Sequence, residues 1–508
     1  MRLLSKYKFE FIFLSCLILI KIALQAYLYR AGFISLSADE FARGISAATW
    51  SQNPQIGSLA SNVQIWLPFE KFLNGIALMI WDDVIWAPRL TAFLASVALL
   101  VAVFALARVM FASSLAAAFA ATFVVFQPWY AWLSGTPMLE IYFLACFFAG
   151  FTFLLIWLRE QRRRYWIYGG IFFFLASGFH LHSWLLINVV NLLTAVYLYK
   201  FIRQKQFRYA AQLVGMFFLS NLLILVFSYV GMFMTGTLAQ ALGEHKVYSR
   251  WFYGGYDVSL IEKILFYPNL VWQNVDWPVW VFTILGLWAI RKKAAYWQFI
   301  PLLTAALSLF LYMVFNVNSG PPSAAAGRYT LVYTLLLAPY VGYGGYFFYR
   351  WAANAPNRRQ FFARLALPAA CYVWLLALGL GGVVDFPQTN MAEPVAAGRY
   401  LEQLLDAGDL PPEQAHFMVE VTYWEFIAVQ LAAKHYDEIL FDRPVDLYNR
   451  DLPSLFLENP PLVKEALLRE GVTYVALQDT TLKANAQAVD FLTPLKAFGD
   501  WMVYRFTP

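Results

Sequence analysis

Long apolar runs limit what this chain can fold into more than any other feature of its sequence. A helix that crosses a lipid bilayer needs about 20 consecutive, mostly apolar residues. We therefore expect an all-α polytopic membrane domain over residues 1–384, with about eleven transmembrane helices. The runs lie near 9–28, 88–110, 113–133, 137–158, 165–182, 184–200, 209–231, 277–290, 297–316, 329–349 and 362–384.

The composition excludes an ordinary water-soluble protein of this length. Hydrophobic residues make up 61% of the 508 residues and charged residues only 13%, whereas soluble domains carry roughly 25% charged residues. The net charge of +6 arises from short basic clusters between apolar runs, so it does not indicate a nucleic-acid partner. All three cysteines (Cys16, Cys146 and Cys371) lie within apolar runs, and we expect neither a disulfide framework nor a strong zinc site.

The basic clusters also predict the orientation of the chain, because cytoplasmic loops retain Lys and Arg. The clusters fall at alternate loops, near residues 6–8, 108, 159–164, 200–208, 291–293 and 350–364. This pattern predicts a multi-pass protein of the cell membrane with a cytoplasmic amino terminus and an external tail. No clear cleavage site follows the first run, so we interpret it as a retained span and not as a signal peptide.

Two long loops and the tail then lie outside the cytoplasm. The loops, about 29–87 and 232–276, are rich in aromatic residues, which is typical of helices that lie along a membrane surface. The tail, 385–508, carries 19 Asp and Glu against 9 Lys and Arg, and alternating helical and strand patterns predict a small α/β domain. Helices are predicted at 394–407, 423–435 and 460–470, and strands at 416–421, 438–441, 472–477 and 502–506.

Three acidic residues on the external side are candidates for catalysis. Asp39 and Glu40 follow the first span by about ten residues, where a carboxylate can accept a proton from an acceptor hydroxyl. A solvated pair of loop residues is the alternative. Glu140 lies in the first turn of the fourth span, where a carboxylate at the membrane boundary is costly and usually functional. Its alternative role is to interact favourably with the helix dipole.

Basic residues on the same side are candidates for binding a phosphate. Arg89 opens the second span and Arg328 opens the tenth, and a guanidinium suits the phosphate of a lipid carrier. An isolated arginine at this depth can instead extend to the lipid headgroups. His180 and His182 end the fifth span. Their spacing of two residues does not favour a paired metal site on one helix face, but one of them can contact a phosphate or a metal.

Two further groups of polar residues have no firm role at this stage. Lys21 and Gln25 are four residues apart in the first span, so they share a helix face that we expect to point into the helix bundle. The second long loop contains a polar stretch that either seats a substrate or is simply solvated: Glu244, His245, Lys246, Tyr248 and Arg250.

The order of these features resembles a known family: the GT-C membrane glycosyltransferases, and within them the protein O-mannosyltransferases and bacterial aminoarabinose transferases of glycosyltransferase family 39. The resemblance covers roughly residues 1–384. His180 and His182 depart from it, because relatives often carry a Lys there, and the tail shows no β-trefoil insert. The matching motifs are Ala38-Asp39-Glu40, Pro68-Phe69-Glu70-Lys71-Phe72, Trp86-Ala87-Pro88-Arg89-Leu90, Pro137-Met138-Leu139-Glu140 and Gly327-Arg328-Tyr329.

The resemblance implies an inverting transfer of a sugar from a polyprenyl-phosphate donor to an acceptor hydroxyl on a glycan, a lipid or a protein. Asp39 would be the base, with Glu40 and Glu140 orienting the acceptor or holding a divalent cation. The donor phosphate would be bound by Arg328 with Tyr329, and by Arg89 or His180; a metal, if present, would use Asp39, Glu140 or His182. The alternatives are a transporter or flippase of a lipid-linked substrate, a non-catalytic assembly subunit, and a ligase that moves a whole glycan from a diphosphate carrier.

Overall fold

A computed structural model describes most of the chain as helix, with one small sheet near the carboxyl end. It divides into two compact units, and each is described by itself. Met1–Ala31, Ile56–Glu70 and Leu90–Phe386 form the helical unit, and Gly32–Gln55, Lys71–Arg89 and Pro387–Pro508 form the sheet unit. The described residues are 8–54, 67–236, 240, 243, 259–291, 294–319, 326–389, 391–406, 416–422, 424–434, 439–444 and 452–508.

Fifteen α-helices lie in the described residues up to position 384, and a 3₁₀ turn, Ala326–Thr330, precedes the fourteenth. They are α1 (Lys8–Arg30), α2 (Asp39–Gln52), α3 (Phe69–Ile80), α4 (Trp86–Phe111), α5 (Ser114–Val125), α6 (Pro128–Ser134), α7 (Leu139–Glu160), α8 (Arg163–Ser177), α9 (Leu181–Arg203), α10 (Phe207–Tyr229), α11 (Leu260–Asn274), α12 (Trp277–Ile290), α13 (Ile300–Ser319), α14 (Leu331–Ala353) and α15 (Arg358–Val384).

The chain is a mostly helical, multi-span membrane protein, as the apolar runs predicted. In the described residues, eight helices are long and apolar enough to cross a bilayer: α1, α4, α7, α9, α10, α13, α14 and α15. The pair α5 and α6, bent by 70°, makes a ninth span if the two helices are counted together. The two remaining runs form α8 and α12, of 15 and 14 residues, which are shorter than the roughly 20 residues of a full span.

The bend between α5 and α6 has a local cause in the sequence. Pro128 starts α6 and has no backbone N–H, and the residue before a proline is biased towards extended backbone. Gln127 is indeed extended, with φ −83° and ψ 128°. α6 then ends after seven residues, with Gly135 as its C-cap. The break therefore leads directly into the turn that precedes α7.

Two helices form the centre of the helical unit. The most apolar windows of α7 and of the span that contains α14 are each 78% buried, whereas the other long spans reach at most 50%. Large side chains such as Tyr142 and Trp157 of α7 are almost completely buried. Side chains at the amino ends of these two helices are therefore held by a rigid surrounding, and Glu140 and Arg328 lie there.

The tail forms a five-stranded mixed sheet flanked by helices. The strand order is β2-β1-β3-β5-β4, parallel for β2, β1 and β3 and antiparallel for β3, β5 and β4. Residues 474–477 of β3 alternate between two hydrophobic clusters, as the two-residue period of a strand requires. The elements are α16 (Ala392–Asp406), β1 (His416–Val419), α17 (Phe426–Ala433), β2 (Ile439–Phe441), α18 (Pro460–Arg469), β3 (Val472–Leu477), α19 (Thr480–Gln487), β4 (Leu492–Phe498) and β5 (Trp501–Phe506).

The predicted small domain of helices and strands is confirmed, with two elements that the sequence did not indicate. Each helix and strand predicted in the tail is present within a few residues of its expected bounds. The additions are α19 and β4. β4 is an edge strand whose middle five residues are all exposed, and Pro494 and a register shift interrupt it. Neither alternation nor a continuous apolar run marks such a strand.

Two segments of the first long loop belong to the sheet unit and pack on its helices. Phe41 and Ala47 of α2 share one hydrophobic cluster with Val395 of α16 and Leu431 of α17. At Gly44 the Leu431 side chain packs directly on the backbone of α2, because a Cβ atom there would lie 2.6 Å from Leu431 Cδ2. The helix that begins with Asp39 and Glu40 is thus held by residues of the tail. The expected domain division at residue 384 remains a prediction.

Candidate functional site

Glu140 occupies the first turn of α7. The turn before it is closed by a hydrogen bond from Met138 N to the Thr136 carbonyl, 2.8 Å long, and α7 begins one residue later. The Glu140 side chain is only 1% exposed. An ionisable group buried this deeply in a membrane protein needs a partner of opposite charge.

Arg328 provides that partner from 188 residues further along the chain. Its Nε atom lies 2.9 Å from Glu140 Oε1, and the Arg328 side chain is 3% exposed. Gly327 lets this 3₁₀ turn approach the bundle, because a Cβ atom there would lie 2.2 Å from the Trp129 ring. Arg328 Nη2 also donates to the Tyr329 hydroxyl at 3.0 Å. The guanidinium is thereby fixed on two sides.

The two histidines lie beside this pair at the start of α9. His180 is the N-cap residue, and its Nδ1 accepts the backbone N–H of His182 at 2.9 Å. His180 Nε2 lies 3.9 Å from Glu140 Oε1. The buried ring of His182 packs edge-on against Tyr312, with 4.7 Å between ring centroids, and lies 5.9 Å from Tyr329. The two imidazole rings lie 6.0 Å apart between centroids, and both lie beside Tyr329.

We call Glu140, His180, His182, Arg328 and Tyr329 the helix-end cluster. It carries one arginine, one glutamate and two histidines, and the Arg328 guanidinium lies against the Glu140 carboxylate. Two of its members lie in the first turn or at the N-cap of α7 and α9, where unpaired backbone N–H groups and the helix dipole favour an anion. A further negative group, such as a phosphate, is suited to this environment.

Glu40 and Arg89 form a second buried pair, which lies in the sheet unit. Arg89 Nη2 is 3.3 Å from Glu40 Oε2, and it donates to the Ile34 carbonyl at 2.6 Å. Arg89 Nη1 donates to the Ile85 carbonyl at 2.6 Å. Glu40 Oε1 accepts the Leu36 N–H at 2.9 Å. Burial raises the pKa of the Glu40 carboxyl above its ordinary value, and the Arg89 guanidinium partly offsets this rise.

Asp39 differs from its neighbour Glu40 in exposure. Asp39 is half-buried, whereas Glu40 is almost fully buried. Asp39 begins α2, and its backbone N–H donates to Ser37 Oγ at 3.1 Å. Of the two residues, Asp39 is therefore the more accessible to solvent.

The structure also buries polar residues that the sequence analysis did not single out. In the sheet unit Arg43 and Asn74 are about 2% and 1% exposed. The position of Arg43, one turn after Asp39 on the same helix face, was a signal available in the sequence. In the helical unit Tyr267 lies 4.8 Å from Tyr312 between ring centroids. Tyrosines in apolar runs are too common to indicate such a contact beforehand.

The candidate metal ligands of the sequence are Asp39, Glu140 and His182. In the described residues, no group of three or more His, Cys, Asp and Glu side chains is arranged to hold a metal ion. Asp39 belongs to the sheet unit, while Glu140 and His182 belong to the helical unit. The polar stretch 244–250 of the second long loop lies outside the described residues.

Comparison with known proteins gives a fold but no family. Neither protein-family profiles nor curated proteins match the sequence. Among solved structures, ArnT from Cupriavidus metallidurans aligns with a TM-score of 0.60 at 13% identity, over 95% of this chain and 97% of ArnT. ArnT from the same organism bound to undecaprenyl phosphate aligns equally well, with a TM-score of 0.60 at 12% identity.

A second similar structure is the oligosaccharyltransferase of Archaeoglobus fulgidus. It aligns with a TM-score of 0.56 at 12% identity, over 96% of this chain and 73% of the archaeal one. A complex of that enzyme, AglB, with an inhibitory peptide and a dolichol-phosphate aligns with a TM-score of 0.54. The chain therefore has the fold of GT-C membrane glycosyltransferases. Membership of glycosyltransferase family 39 remains a prediction.

Proposed function

We propose that the protein is an inverting glycosyltransferase that uses a polyprenyl-phosphate sugar as donor. The observation that carries the proposal is the buried Arg328–Glu140 pair at the amino ends of two central helices, in a chain with the GT-C fold. Similar folds have been solved with lipid phosphates, undecaprenyl phosphate on ArnT and a dolichol-phosphate on AglB. Lipid-phosphate donors are amphipathic and suit a site at the end of a helical bundle.

Arg328 is the residue assigned to the donor phosphate. Its guanidinium offers several N–H donors in one plane, which matches the oxygens of a phosphate. Glu140 lies on the Nε side and Tyr329 on the Nη2 side, so both orient the guanidinium. His180, at the N-cap of α9, supplies a further polar contact. Charge that develops on the leaving phosphate is stabilised by donors that are already in place.

Asp39 is assigned as the general base, on the basis of its motif and its exposure. Its carboxylate takes the proton of the acceptor hydroxyl while that oxygen bonds to the anomeric carbon of the sugar. The bond between the anomeric carbon and the phosphate oxygen breaks, and its electron pair leaves with the polyprenyl phosphate. Attack opposite the leaving group inverts the anomeric configuration. Asp39 then releases its proton to solvent.

Arg89 receives a different assignment from Arg328. Both of its Nη atoms donate to backbone carbonyls of the sheet unit, and one also lies close to Glu40. We assign Arg89 and Glu40 to positioning the start of α2, which carries Asp39. The alternation of basic loops favours an external location for the reaction, with membrane lipids and an acceptor hydroxyl as the remaining partners.

The test measures binding of undecaprenyl phosphate to the full chain in lipid nanodiscs, followed by transfer from a matching sugar donor. Hydrogen bonds to charged groups are worth about 1.5–3 kcal/mol, so Arg328→Met is expected to raise the Kd roughly 10- to 150-fold. Arg108→Met is the control, because it removes a partly exposed arginine at the carboxyl end of α4, the opposite end from Arg89.

Asp39→Asn separates binding from chemistry. This variant should bind undecaprenyl phosphate as the wild type does, while kcat falls roughly 10²- to 10⁴-fold, the usual contribution of a general base. Wild-type protein that does not bind the lipid phosphate, or an Arg328→Met variant that binds it normally, would overturn the donor assignment. Full activity of Asp39→Asn would remove Asp39 as the base.

A further inference from the structure

Three polar residues form a stripe along one face of α1. Lys21, Gln25 and Tyr29 follow one another at intervals of four residues, so they lie above each other on the helix. Lys21 and Gln25 are only 3% and 5% exposed, although α1 as a whole is one of the least buried spans. A lysine that points into the helical unit from such a span calls for a specific reason.

Lys21 is bonded to the end of the bent helix α6. Its Nζ atom donates to Ser134 Oγ at 2.6 Å and lies 4.4 Å from the centre of the Tyr130 ring and 5.0 Å from that of Phe93. Ser134 Oγ in turn donates to the Tyr130 carbonyl one turn earlier. The polar contact of Lys21 in the described part of the chain is thus a hydroxyl and not a carboxylate, so the residue is not one half of an ion pair.

Gln25 and Tyr29 contact the next residue of the same segment. The Tyr29 hydroxyl donates to the Gly135 carbonyl at 3.1 Å. A Cβ atom at Gly135 would lie 2.1 Å from Gln25 Nε2 and 3.2 Å from the Tyr29 oxygen, so a side chain at this position would displace Gln25. The stripe therefore holds Ser134 and Gly135 from one side by several independent contacts.

The segment held in this way leads directly to the helix-end cluster. Gly135 is followed by the buried Thr136, by Pro137, and by Met138, whose N–H closes the turn. Glu140 follows two residues later and meets Arg328 at 2.9 Å. Because the proline and the closed turn leave few free torsions, a shift of Ser134 or Gly135 is transmitted to Glu140.

We propose that the Lys21–Gln25–Tyr29 stripe is a brace that positions Glu140, and through Glu140 the Arg328 guanidinium, for the donor phosphate. This inference rests on the function proposed above, since it takes the helix-end cluster as the phosphate site. The three residues touch the backbone and hydroxyl of the turn and are positioning residues. Lys21 acts through Ser134, and Tyr29 acts through the Gly135 carbonyl.

The experiment measures the Kd of undecaprenyl phosphate for Lys21→Met, Ser134→Ala and the double variant, each in nanodiscs. Substituting a residue that does not touch the ligand but supports one that does changes ligand affinity by about 2- to 30-fold. We therefore expect Lys21→Met to raise the Kd within this range. If the brace acts through the Lys21–Ser134 contact, the double variant should match Lys21→Met within about twofold, because the second change removes nothing more.

Gln212→Leu provides a matched control. It removes another buried hydrogen bond to α7, the one from Trp157 Nε1 to Gln212 Oε1 at 3.0 Å, at the opposite end of that helix from Glu140. The control should lower the melting temperature about as much as Lys21→Met while leaving the Kd unchanged. A general loss of stability would move the melting temperature of both variants, but only loss of the brace moves the Kd.

A milder variant keeps the test decisive if Lys21→Met does not fold. Tyr29→Phe removes one hydroxyl and is expected to raise the Kd in the same direction by about threefold, near the low end of that range. If Lys21→Met and Tyr29→Phe bind the lipid phosphate normally while Arg328→Met binds it weakly, the brace is overturned but the proposed function is not. Normal binding by Arg328→Met would instead overturn the proposed function.

Discussion

Replacing Arg89 by methionine tests whether this arginine binds phosphate or holds the helix that carries Asp39. Methionine fills similar space but leaves the buried Glu40 without its positive partner and the Ile34 and Ile85 carbonyls without their donors. Removing one member of a buried ion pair costs about 3–5 kcal/mol. At about 1.36 kcal/mol per factor of ten, local opening of residues 32–44 should become roughly 150- to 5,000-fold more frequent.

Hydrogen exchange measured by mass spectrometry in nanodiscs reports that opening as loss of amide protection in peptides covering residues 32–44. The double variant Glu40→Gln/Arg89→Met should regain at least about tenfold protection, because no uncompensated carboxylate remains in it. Arg399→Met is the control in the same unit. It removes a partly exposed ion pair to Asp83, 3.6 Å long, and such pairs contribute about 1 kcal/mol at most.

The acidity of Glu40 adds a pH signature to the same experiment. Burial raises its pKa in the folded protein, and loss of Arg89 removes an interaction that lowers it. A carboxyl with a raised folded pKa is destabilising once the pH exceeds its unfolded pKa of about 4.3, so the Arg89→Met defect should shrink as the pH falls towards that value. Unchanged protection in Arg89→Met, combined with weak lipid-phosphate binding, would refute this reasoning and make Arg89 a phosphate ligand.

Three further predictions concern other contacts. Gly44→Ala should lower the melting temperature, because the new Cβ atom would overlap the Leu431 side chain. Adding Leu431→Ala should recover part of that loss. If the two substitutions instead lower the melting temperature additively, the contact is contradicted. Gly327→Ala should displace the turn of Arg328 and weaken undecaprenyl-phosphate binding without changing expression. Burial raises the pKa of the Glu420 carboxyl, so its ionised form destabilises the fold at neutral pH. Glu420→Gln should therefore raise the melting temperature at pH 7.5 relative to wild type, and this gain should vanish near pH 4. A difference that does not depend on pH would show that burial of the charge is not its cause.

Much of the fold follows from local patterns in the sequence. The apolar runs are contiguous, and a span depends on the composition of about 20 neighbouring residues, so each of the eleven runs is helical in the structure, with one run divided into α5 and α6. Eight or nine of them, and not eleven, are candidate spans in the described residues. Short alternating segments likewise predicted four of the five strands. The bend between α5 and α6 was missed, although Gln127-Pro128 marks its position, because hydropathy does not distinguish one long helix from two short ones.

The candidate site was predictable as a set of residue types and motifs, but not as a set of partners. Ion pairs bring together residues far apart in sequence, Glu140 with Arg328 and Glu40 with Arg89, and no spacing rule links positions separated by 188 or 49 residues. The two arginines looked equivalent in the sequence, since each opens a span on the same side. Only their surroundings distinguish them, because backbone carbonyls engage the guanidinium of Arg89, whereas Glu140 and Tyr329 engage that of Arg328.

The sequence by itself determined that the chain is a multi-span helical membrane protein with a small mixed domain and polar residues at a few span ends. Spans, strands and tail helices depend on the hydrophobicity and helix propensity of neighbouring residues, which can be read along the chain. Only the tertiary structure decided that α2 packs on the tail and that Lys21 is bonded to the turn before Glu140. Those contacts depend on close packing between distant segments, which leaves no periodic signal along the chain.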